Sequence, residues 1–175
     1  MNTKNKYKPW RVSADLNKYE GDEIVVIKLG FFWHSIRGFF EMLSYSRLIH
    51  KSNKEAKSWG LLKSDEFLYS YKHSGILQYW SSYKSLEDWS RKNKEHLDWW
   101  KEMEAKNKWK HMSVYHEVYV VPKEAVETVY NLPHNMNIEE RPGLLGVLPA
   151  TENPEYRARN RFLKCPHSAT KEENI

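Results

Sequence analysis

The chain contains a single cysteine, Cys165, among its 175 residues. An internal disulfide and the multi-cysteine spacings of structural zinc sites are therefore excluded. Cys165 also has no evident activating partner in the sequence, so we do not expect a nucleophilic thiol. So little cysteine suits a reducing compartment, and we expect a cytoplasmic protein.

Long hydrophobic runs are absent as well. The most apolar stretch, EIVVIKLGFFW at 23–33, is interrupted by Lys28, whereas a membrane-spanning helix needs about 20 consecutive apolar residues. The first residues, MNTKNKYKPW, are polar and lack the apolar region of a signal peptide. We therefore predict neither a signal peptide nor a membrane partner.

The excess of positive charge is small. Lysine and arginine number 28 against 23 acidic residues, a net charge of +5, and the run KNKEHLDWWKEMEAKNKWK interleaves both signs. Such alternation is typical of a solvated helix face, so we expect no nucleic-acid partner. Basic residues do cluster near both termini, which leaves a weak anionic partner open: Lys4, Lys6, Lys8 and Arg11, then Arg157, Arg159, Arg161 and Lys164.

Several motifs that mark well-known chemistries are also missing. The sequence contains no GxSxG, HExxH, GxxxxGKS or GxGxxG. Its eight histidines show no local metal-ligand spacing. We therefore predict no metal site and none of the chemistries that these motifs carry.

Aromatic residues are abundant, at 14% with 8 Trp and 11 Tyr. Together with 40% hydrophobic residues, they predict a folded protein with a well-filled core or an aromatic-lined pocket. The length fits one domain. We predict an N-terminal arm over residues 1–21, a folded domain over 22–131 and an extended C-terminal tail over 132–175.

Hydrophobic periodicity predicts elements in the order β-α-β-β-α-β. They are strand 23–33, helix 35–52, strands 60–71 and 76–82 around a turn at 73–75, helix 85–107 and strand 113–121, with 123–131 either a short strand or a short helix. This order predicts an α+β, ferredoxin-like fold, in which both helices cover one face of an antiparallel four-stranded sheet. The bare face needs a cover, which a second copy of the chain would supply in a homodimer.

Side-chain periodicity assigns faces to these elements. The first strand buries alternate residues: Val25, Ile27, Leu29 and Phe31. The first helix has Ser35 as a possible N-cap and apolar residues near helical spacing: Ile36, Phe39, Phe40 and Leu43. The second helix starts at Ser85 and presents one arc in which Asn93 needs a hydrogen-bond partner if buried: Leu86, Trp89, Asn93, His96, Leu97, Trp100 and Met103.

His96 and His116 are the candidate catalytic residues. His96 lies on the helix face predicted to meet the sheet, where an imidazole suits a general base, a proton donor or a haem ligand. The structural alternative is a partly buried histidine bonded to backbone or to a carboxylate. His116 shares its strand face with Val114 and Val118, so we expect it to converge on His96 beneath the second helix.

Polar and aromatic side chains near these histidines are candidates for substrate binding: Gln78, Trp80, Trp89, Trp100 and Tyr119. For Trp80, aromatic core packing is the alternative. Glu117 follows His116 directly, so it points to the opposite face of the sheet. There we expect a structural or interface role, with an arginine or lysine partner, because an unpaired buried carboxylate is costly.

Two longer runs carry a resemblance to a known family. GILQYWSSYKSLEDWSRKNKEHLDWWKEM at 75–103 and VYHEVYVVPKEAVETVYNLP at 114–133 resemble the monooxygenase-like family related to the fumagillin-pathway polyketide monooxygenase. This family belongs to the dimeric α/β-barrel superfamily of antibiotic-biosynthesis monooxygenases. The specific parts are QYW, a helix with H-x-x-x-W, and a His-Glu strand ending in VP. Family members often have Trp before the His-Glu pair, where this chain has Tyr115.

The resemblance implies a ferredoxin-like subunit, a sheet-to-sheet homodimer and an oxidoreductase. It leaves the substrate open, since some members of the superfamily oxidise aromatic polyketides without a cofactor and others, including aldoxime dehydratases, contain haem. Three hypotheses follow: a cofactor-independent oxygenase of a small aromatic or polyketide-like substrate, a haem protein with a histidine as axial ligand, and a non-catalytic dimer that binds a small apolar ligand.

Overall fold

The computed structural model describes residues 10–137 and 140–153, and the chain divides into two compact units. The larger unit is Glu23–Val121, and the smaller combines the segments before and after it. Cys165 and the basic run RARNR at 157–161 lie outside the described residues.

The regular elements follow in chain order. The strands and α-helices are β1 (Trp10–Ala14), β2 (Glu23–Trp33), α1 (Ile36–Ala56), β3 (Leu61–Ser70), β4 (His73–Trp80), α2 (Tyr83–Lys92), α3 (Lys94–Ala105), β5 (Met112–Pro122), β6 (Tyr130–Leu132) and β7 (Ala150–Thr151). Short 3₁₀ helices occupy Leu16–Lys18, Lys57–Trp59, Lys108–Lys110, Lys123–Ala125 and Gly143–Gly146.

The larger unit contains a four-stranded sheet in the order β3-β4-β2-β5. β4 pairs antiparallel with both β2 and β3, and Ile27 lies opposite Gln78. With α1 between β2 and β3, and α2 and α3 between β4 and β5, this is the predicted ferredoxin-like arrangement. The α+β fold class is therefore confirmed.

The face of β2 predicted to be buried packs in two core clusters. Val25 joins Trp80, Leu86 and Trp89 in one cluster, with Ile27 packed against it. Phe31 joins a second, with Leu29 packed against it, whose other buried members are Tyr45, Met103 and Met112. The alternation in the sequence therefore identified the core face of this strand correctly.

Helix α1 does not bury the stripe that the sequence suggested. Ser35 caps the helix by accepting a hydrogen bond from the Gly38 N–H at 3.2 Å, but Ile36 is 79% exposed and Phe40 63% exposed. The stripe also includes Phe39 and Leu43, both exposed. Because each residue advances about 100° around a helix, this stripe lies away from the buried Tyr45. The helical periodicity of the sequence identifies an apolar stripe on α1, but it does not show which face of the helix packs against the rest of the protein.

The predicted second helix is two helices. α2 begins after Ser82, whose hydroxyl accepts a hydrogen bond from Ser85 N–H at 3.0 Å, so the start at Ser85 was wrong. The break falls at Asn93, which is 3% exposed and has extended backbone with ψ 113°. Its side-chain oxygen caps α3 by accepting from the His96 N–H at 2.8 Å, which supplies the predicted partner. The break also shifts the helical phase, and Leu97 is exposed.

The hairpin of β3 and β4 turns earlier than predicted. β3 ends at Ser70 and β4 begins at His73, so residues 73–75 are strand rather than turn. Gly75 pairs with Gly30 inside the sheet. A Cβ on Gly75 would lie 2.2 Å from the Leu29 carbonyl oxygen, so this glycine permits close backbone approach instead of ending the strand.

The smaller unit contains a three-stranded sheet that the sequence did not predict. β1 pairs antiparallel with β6 and β7, and Val12, Ala14 and Leu16 are buried. Residues 10–21 are thus more than a polar arm, and residues 130–151 contribute strands and buried leucines rather than only extended chain. Strands this short give little alternation to recognise. Among the described helices none is both long and apolar enough to cross a membrane.

We expect Asn93→Ala to lower the free energy of unfolding by about 1 kcal/mol, because it removes the side-chain cap of α3. Asn93→Asp keeps an acceptor oxygen at the same place and should retain most of the stability. Urea unfolding followed by circular dichroism measures both. Equal stability of wild type and Asn93→Ala would show that the cap contributes nothing.

Candidate functional site

A cavity of about 360 Å³ lies on the helix-covered face of the four-stranded sheet. Its lining includes side chains that pack against the two core clusters, Ile27 against one and Trp99 against the other. His116 and Val118, on β5, line it and are exposed, so the cavity opens to solvent along that strand. A mostly apolar hollow with a few polar groups is typical of small-molecule sites.

The structure brings most of the candidate residues to this cavity. Gln78, Trp89, His96, Trp100 and His116 all line it. The two histidines therefore converge beneath the helices, as the strand and helix periodicities predicted. Because side chains alternate between the two faces of β5, His116 faces the helices and the next residue, Glu117, faces away.

Two candidates lie elsewhere. Trp80 is fully buried in the core cluster of Val25 and Leu86, so packing describes it better than substrate contact. Tyr119 lies on the opposite face of β5, where its hydroxyl donates a hydrogen bond to Glu117 at 2.9 Å. The structure therefore does not bring either side chain into the cavity.

His96 is held by the break between α2 and α3. The last carbonyls of a helix have no partner within the helix, and the carbonyl oxygen of Ser90 belongs to this group because α2 ends just beyond it. The His96 Nδ1 lies 2.8 Å from that oxygen. A carbonyl only accepts, so Nδ1 carries the proton and Nε2 carries the lone pair.

The second nitrogen of His96 is also engaged. The Trp100 indole N–H donates to Nε2 at 3.0 Å, which again requires the unprotonated Nε2. Burial lowers the pKa of His96, the Ser90 hydrogen bond partly opposes this, and nearby His116 lowers the pKa further. The rings of Trp89, Trp99 and Trp100 surround the imidazole at 4.9–6.3 Å between centroids. His96 is therefore a neutral imidazole with a fixed tautomer.

His116 differs from His96 in its freedom. It stands on β5 with an exposed side chain, and within residues 10–137 and 140–153 its ring has no hydrogen-bond partner. It shares the cavity with the aromatic side chains around His96. Of these two imidazoles, His116 is the one whose ring nitrogens remain available to a bound molecule.

A polar chain of three side chains reaches the cavity from the core. The Trp80 indole N–H donates to Gln78 Oε1 at 3.2 Å, and Gln78 Nε2 donates to Asn53 Oδ1 at 2.8 Å. Asn53, on α1, lines the cavity and was not among the predicted site residues. The sequence contained only a weak indication of a role for Asn53. Asparagine has low helix propensity, so its presence inside a helix suggests that its side chain has a specific role.

The opposite face of the sheet carries a polar and aromatic surface. Glu117 Oε2 lies 3.3 Å from Lys28 Nζ, which is the basic partner expected for this carboxylate. Hydrogen bonds from Tyr119 and then from Lys28 lower the pKa of Glu117. Next to this pair, His73 Nε2 and the Tyr115 hydroxyl lie 2.9 Å apart. Within the described residues, no group of three metal-ligating side chains is assembled on this face or elsewhere.

We expect Trp100→Phe to raise the pKa of His96, because the indole N–H that stabilises the neutral ring is removed while an aromatic ring remains. Trp99→Phe is the matched control, since Trp99 stacks near His96 without bonding to it. Titration of the histidine ring protons by NMR measures both. Equal pKa values of His96 in wild type and in Trp100→Phe would contradict a stabilising hydrogen bond from the Trp100 indole to Nε2.

The same shift predicts a pH dependence of stability. Because the pKa of His96 is lower in the folded protein, the unfolded chain binds more protons once the pH falls below about 6.5. His96 therefore contributes stability at neutral pH that is lost on acidification. Urea unfolding between pH 8 and pH 5 should show wild type losing more stability than His96→Gln. Parallel losses would show that His96 does not contribute.

Comparison with known proteins gives a family and a fold. Residues 24–138 match the monooxygenase af470-like family, while no curated protein matches the chain. An aldoxime dehydratase structure is similar at 19% identity with a TM-score of 0.60, over 84% of this chain and 41% of that one. A second aldoxime dehydratase structure, in complex with butyraldoxime, is 19% identical with a TM-score of 0.48, over 66% of this chain and 35% of that one. The cofactor-independent oxygenase SnoaB from Streptomyces nogalater is 11% identical with a TM-score of 0.38, over 57% of this chain and 92% of that one.

The chain thus spans about two fifths of the first aldoxime dehydratase, and at 19% identity that likeness shows a shared fold alone. The family match supports more than a shared fold, because it covers more than half of the chain and includes every residue that lines the cavity. On this evidence, the chain belongs to the monooxygenase af470-like family.

Proposed function

We propose that the protein is a monooxygenase-like oxidoreductase that acts on a small aromatic or polyketide-like substrate in the cavity. Family membership supports the class of reaction. The cavity volume of about 360 Å³ suits a molecule of a few fused rings. The tryptophans of α2 and α3 that line the cavity offer stacking surfaces to such rings and exclude water around them.

The observation that carries the proposal is a free imidazole in an aromatic cavity. His116 removes a proton from an acidified CH₂ group of the substrate. The carbanion passes one electron to dioxygen, and the two radicals combine to a peroxide anion that takes the proton back from His116. Loss of water from the hydroperoxide then leaves a carbonyl group. The net reaction of CH₂ with O₂ gives C=O and H₂O, and needs no further reductant.

His96 has a different part in this proposal. Both its ring nitrogens are already bonded, to the Ser90 carbonyl and to the Trp100 indole. It positions Trp100 against the substrate and does not exchange protons with it. For the same reason His96 does not fit the haem hypothesis as an axial ligand. We propose that His116 acts as a base rather than as an axial ligand, and that the reaction proceeds without haem, metal or flavin.

We also propose that the open face of the sheet binds a second copy of the chain. Tyr69 is 53% and Tyr119 48% exposed on this face, beside the Lys28–Glu117 ion pair. Large aromatic side chains with polar ends are common at the centres of protein interfaces. A two-fold arrangement would place both ion pairs at a self-complementary contact.

We expect His116→Gln to reduce oxidation of anthrone by at least about 100-fold, because a general base typically contributes that much. Anthrone is a suitable probe, since its CH₂ group lies between two aromatic rings and is acidified by a carbonyl. Oxygen consumption and anthraquinone formation measure the rate. His50→Gln, a histidine on α1 that does not line the cavity, is the control.

Two outcomes would count against this reaction. Equal rates for wild type and His116→Gln would remove the proposed base. A Soret shift on titrating the wild type with haem, together with activity that depends on added haem, would favour the haem hypothesis instead.

For the dimer, we expect wild type to sediment at twice the mass of one chain and Tyr119→Asp to shift toward a single chain, because a charge is then buried in the contact. Tyr71→Asp is the control, since Tyr71 lies in the hairpin turn and is 78% exposed. Analytical ultracentrifugation distinguishes the species. A monomeric wild type would contradict the proposal.

A further inference from the structure

The hydrogen-bond chain from Trp80 to Asn53 has only one possible direction. An indole N–H donates and never accepts, so the Gln78 atom that faces Trp80 at 3.2 Å is its oxygen. The amide nitrogen of Gln78 therefore faces α1 and donates to Asn53, 2.8 Å away, through the Asn53 oxygen. One buried tryptophan thus fixes the orientation of both amides.

This direction leaves the Asn53 amide nitrogen as the end of the chain. Within the part of the chain that the structure describes, no residue accepts a hydrogen bond from Asn53 Nδ2. Asn53 lines the cavity together with Gln78, whereas Trp80 and Gln78 are buried, at 0% and 5% exposure. At the cavity wall the chain of hydrogen bonds therefore ends in an N–H donor, the Asn53 Nδ2.

We propose that Asn53 is a specificity-determining residue, whose amide N–H binds an acceptor oxygen on an aromatic ligand of the cavity. The ligand class is an aromatic ketone or phenolate rather than an aromatic hydrocarbon or amine. This inference rests on the proposed function, because it takes the cavity as the substrate site. A hydrocarbon would leave the amide donors without a partner, and that loss is the source of discrimination.

The same contact suits the proposed chemistry. When a proton leaves a carbon next to or conjugated with a carbonyl, the negative charge moves onto the carbonyl oxygen. A donor held in place by Gln78 stabilises that oxygen more strongly as its charge grows. Asn53 then binds the oxygen while His116, in the same cavity, takes the proton.

Three ligands of one ring skeleton test the proposal: 9-fluorenone carries an acceptor, carbazole a donor, and fluorene neither. Quenching of tryptophan fluorescence reports binding. At pH 8 we expect wild type to bind fluorenone about tenfold more tightly than fluorene, the effect of one hydrogen bond of about 1.4 kcal/mol. Asn53→Asp keeps an oxygen for Gln78 but replaces the donor with an ionised acceptor, so the preference for fluorenone should disappear. Asn135→Asp, the same chemical change at an exposed residue that does not line the cavity, is the control and should keep it.

Gln78→Glu tests the relay without changing Asn53. An ionised carboxylate accepts from both Trp80 and Asn53, so the Asn53 amide must turn its nitrogen toward it and its oxygen to the cavity. We therefore expect this variant, assayed at pH 9, to favour carbazole over fluorenone. Circular dichroism checks that each variant is folded. A purely structural Asn53 would show no such inversion.

The outcomes separate this inference from the proposed function. If wild type binds none of the three ligands, the proposal that the cavity binds aromatic molecules is wrong. If wild type binds fluorene and fluorenone equally, or if Asn53→Asp keeps the preference, the cavity stands and the role of Asn53 is overturned.

Discussion

The interruption of the second helical segment at Asn93 is the constraint on which the site depends. A continuous helix would use the Ser90 carbonyl internally, but the break leaves it unpaired, and His96 takes it through Nδ1 at 2.8 Å. That single hydrogen bond fixes the tautomer of His96, which in turn lets the Trp100 indole donate to Nε2. The Asn93 side chain stabilises the break by capping α3. Helix termination, imidazole chemistry and aromatic lining are therefore one connected arrangement.

The sheet separates two kinds of surface by the alternation of its strands. On β5, His116 faces the cavity and Glu117 faces away, where it pairs with Lys28. A shift of one residue in register would exchange them. The same alternation on β4 aligns Trp80 and Gln78 on the helix side, so that the core can orient an amide at the cavity wall. The cavity and the surface that we propose for dimerisation therefore lie on opposite faces of the same sheet.

Local pattern sufficed where the pattern was strong. Strand 23–33 and its buried face, the order of elements and the convergence of His96 with His116 all follow from periods of 2 and 3.6 residues. The pattern did not predict correctly that the stripe with Ile36 and Phe40 is exposed, or that Trp80 lies in the core instead of the cavity. Which neighbour covers a face depends on packing against distant segments. Asn53 was missed because its significance lies in Gln78, a residue on another element.

What the sequence determined by itself was the fold class, since hydrophobic burial requires only that apolar residues recur at the right spacing. It also indicated side chains that line the cavity, among them His96, His116 and two tryptophans. The tertiary structure decided which imidazole is free, because hydrogen-bond partners such as the Ser90 carbonyl become available only where a helix ends. It likewise decided the direction of the amide chain, because only a buried indole that cannot accept a hydrogen bond orients Gln78 and Asn53.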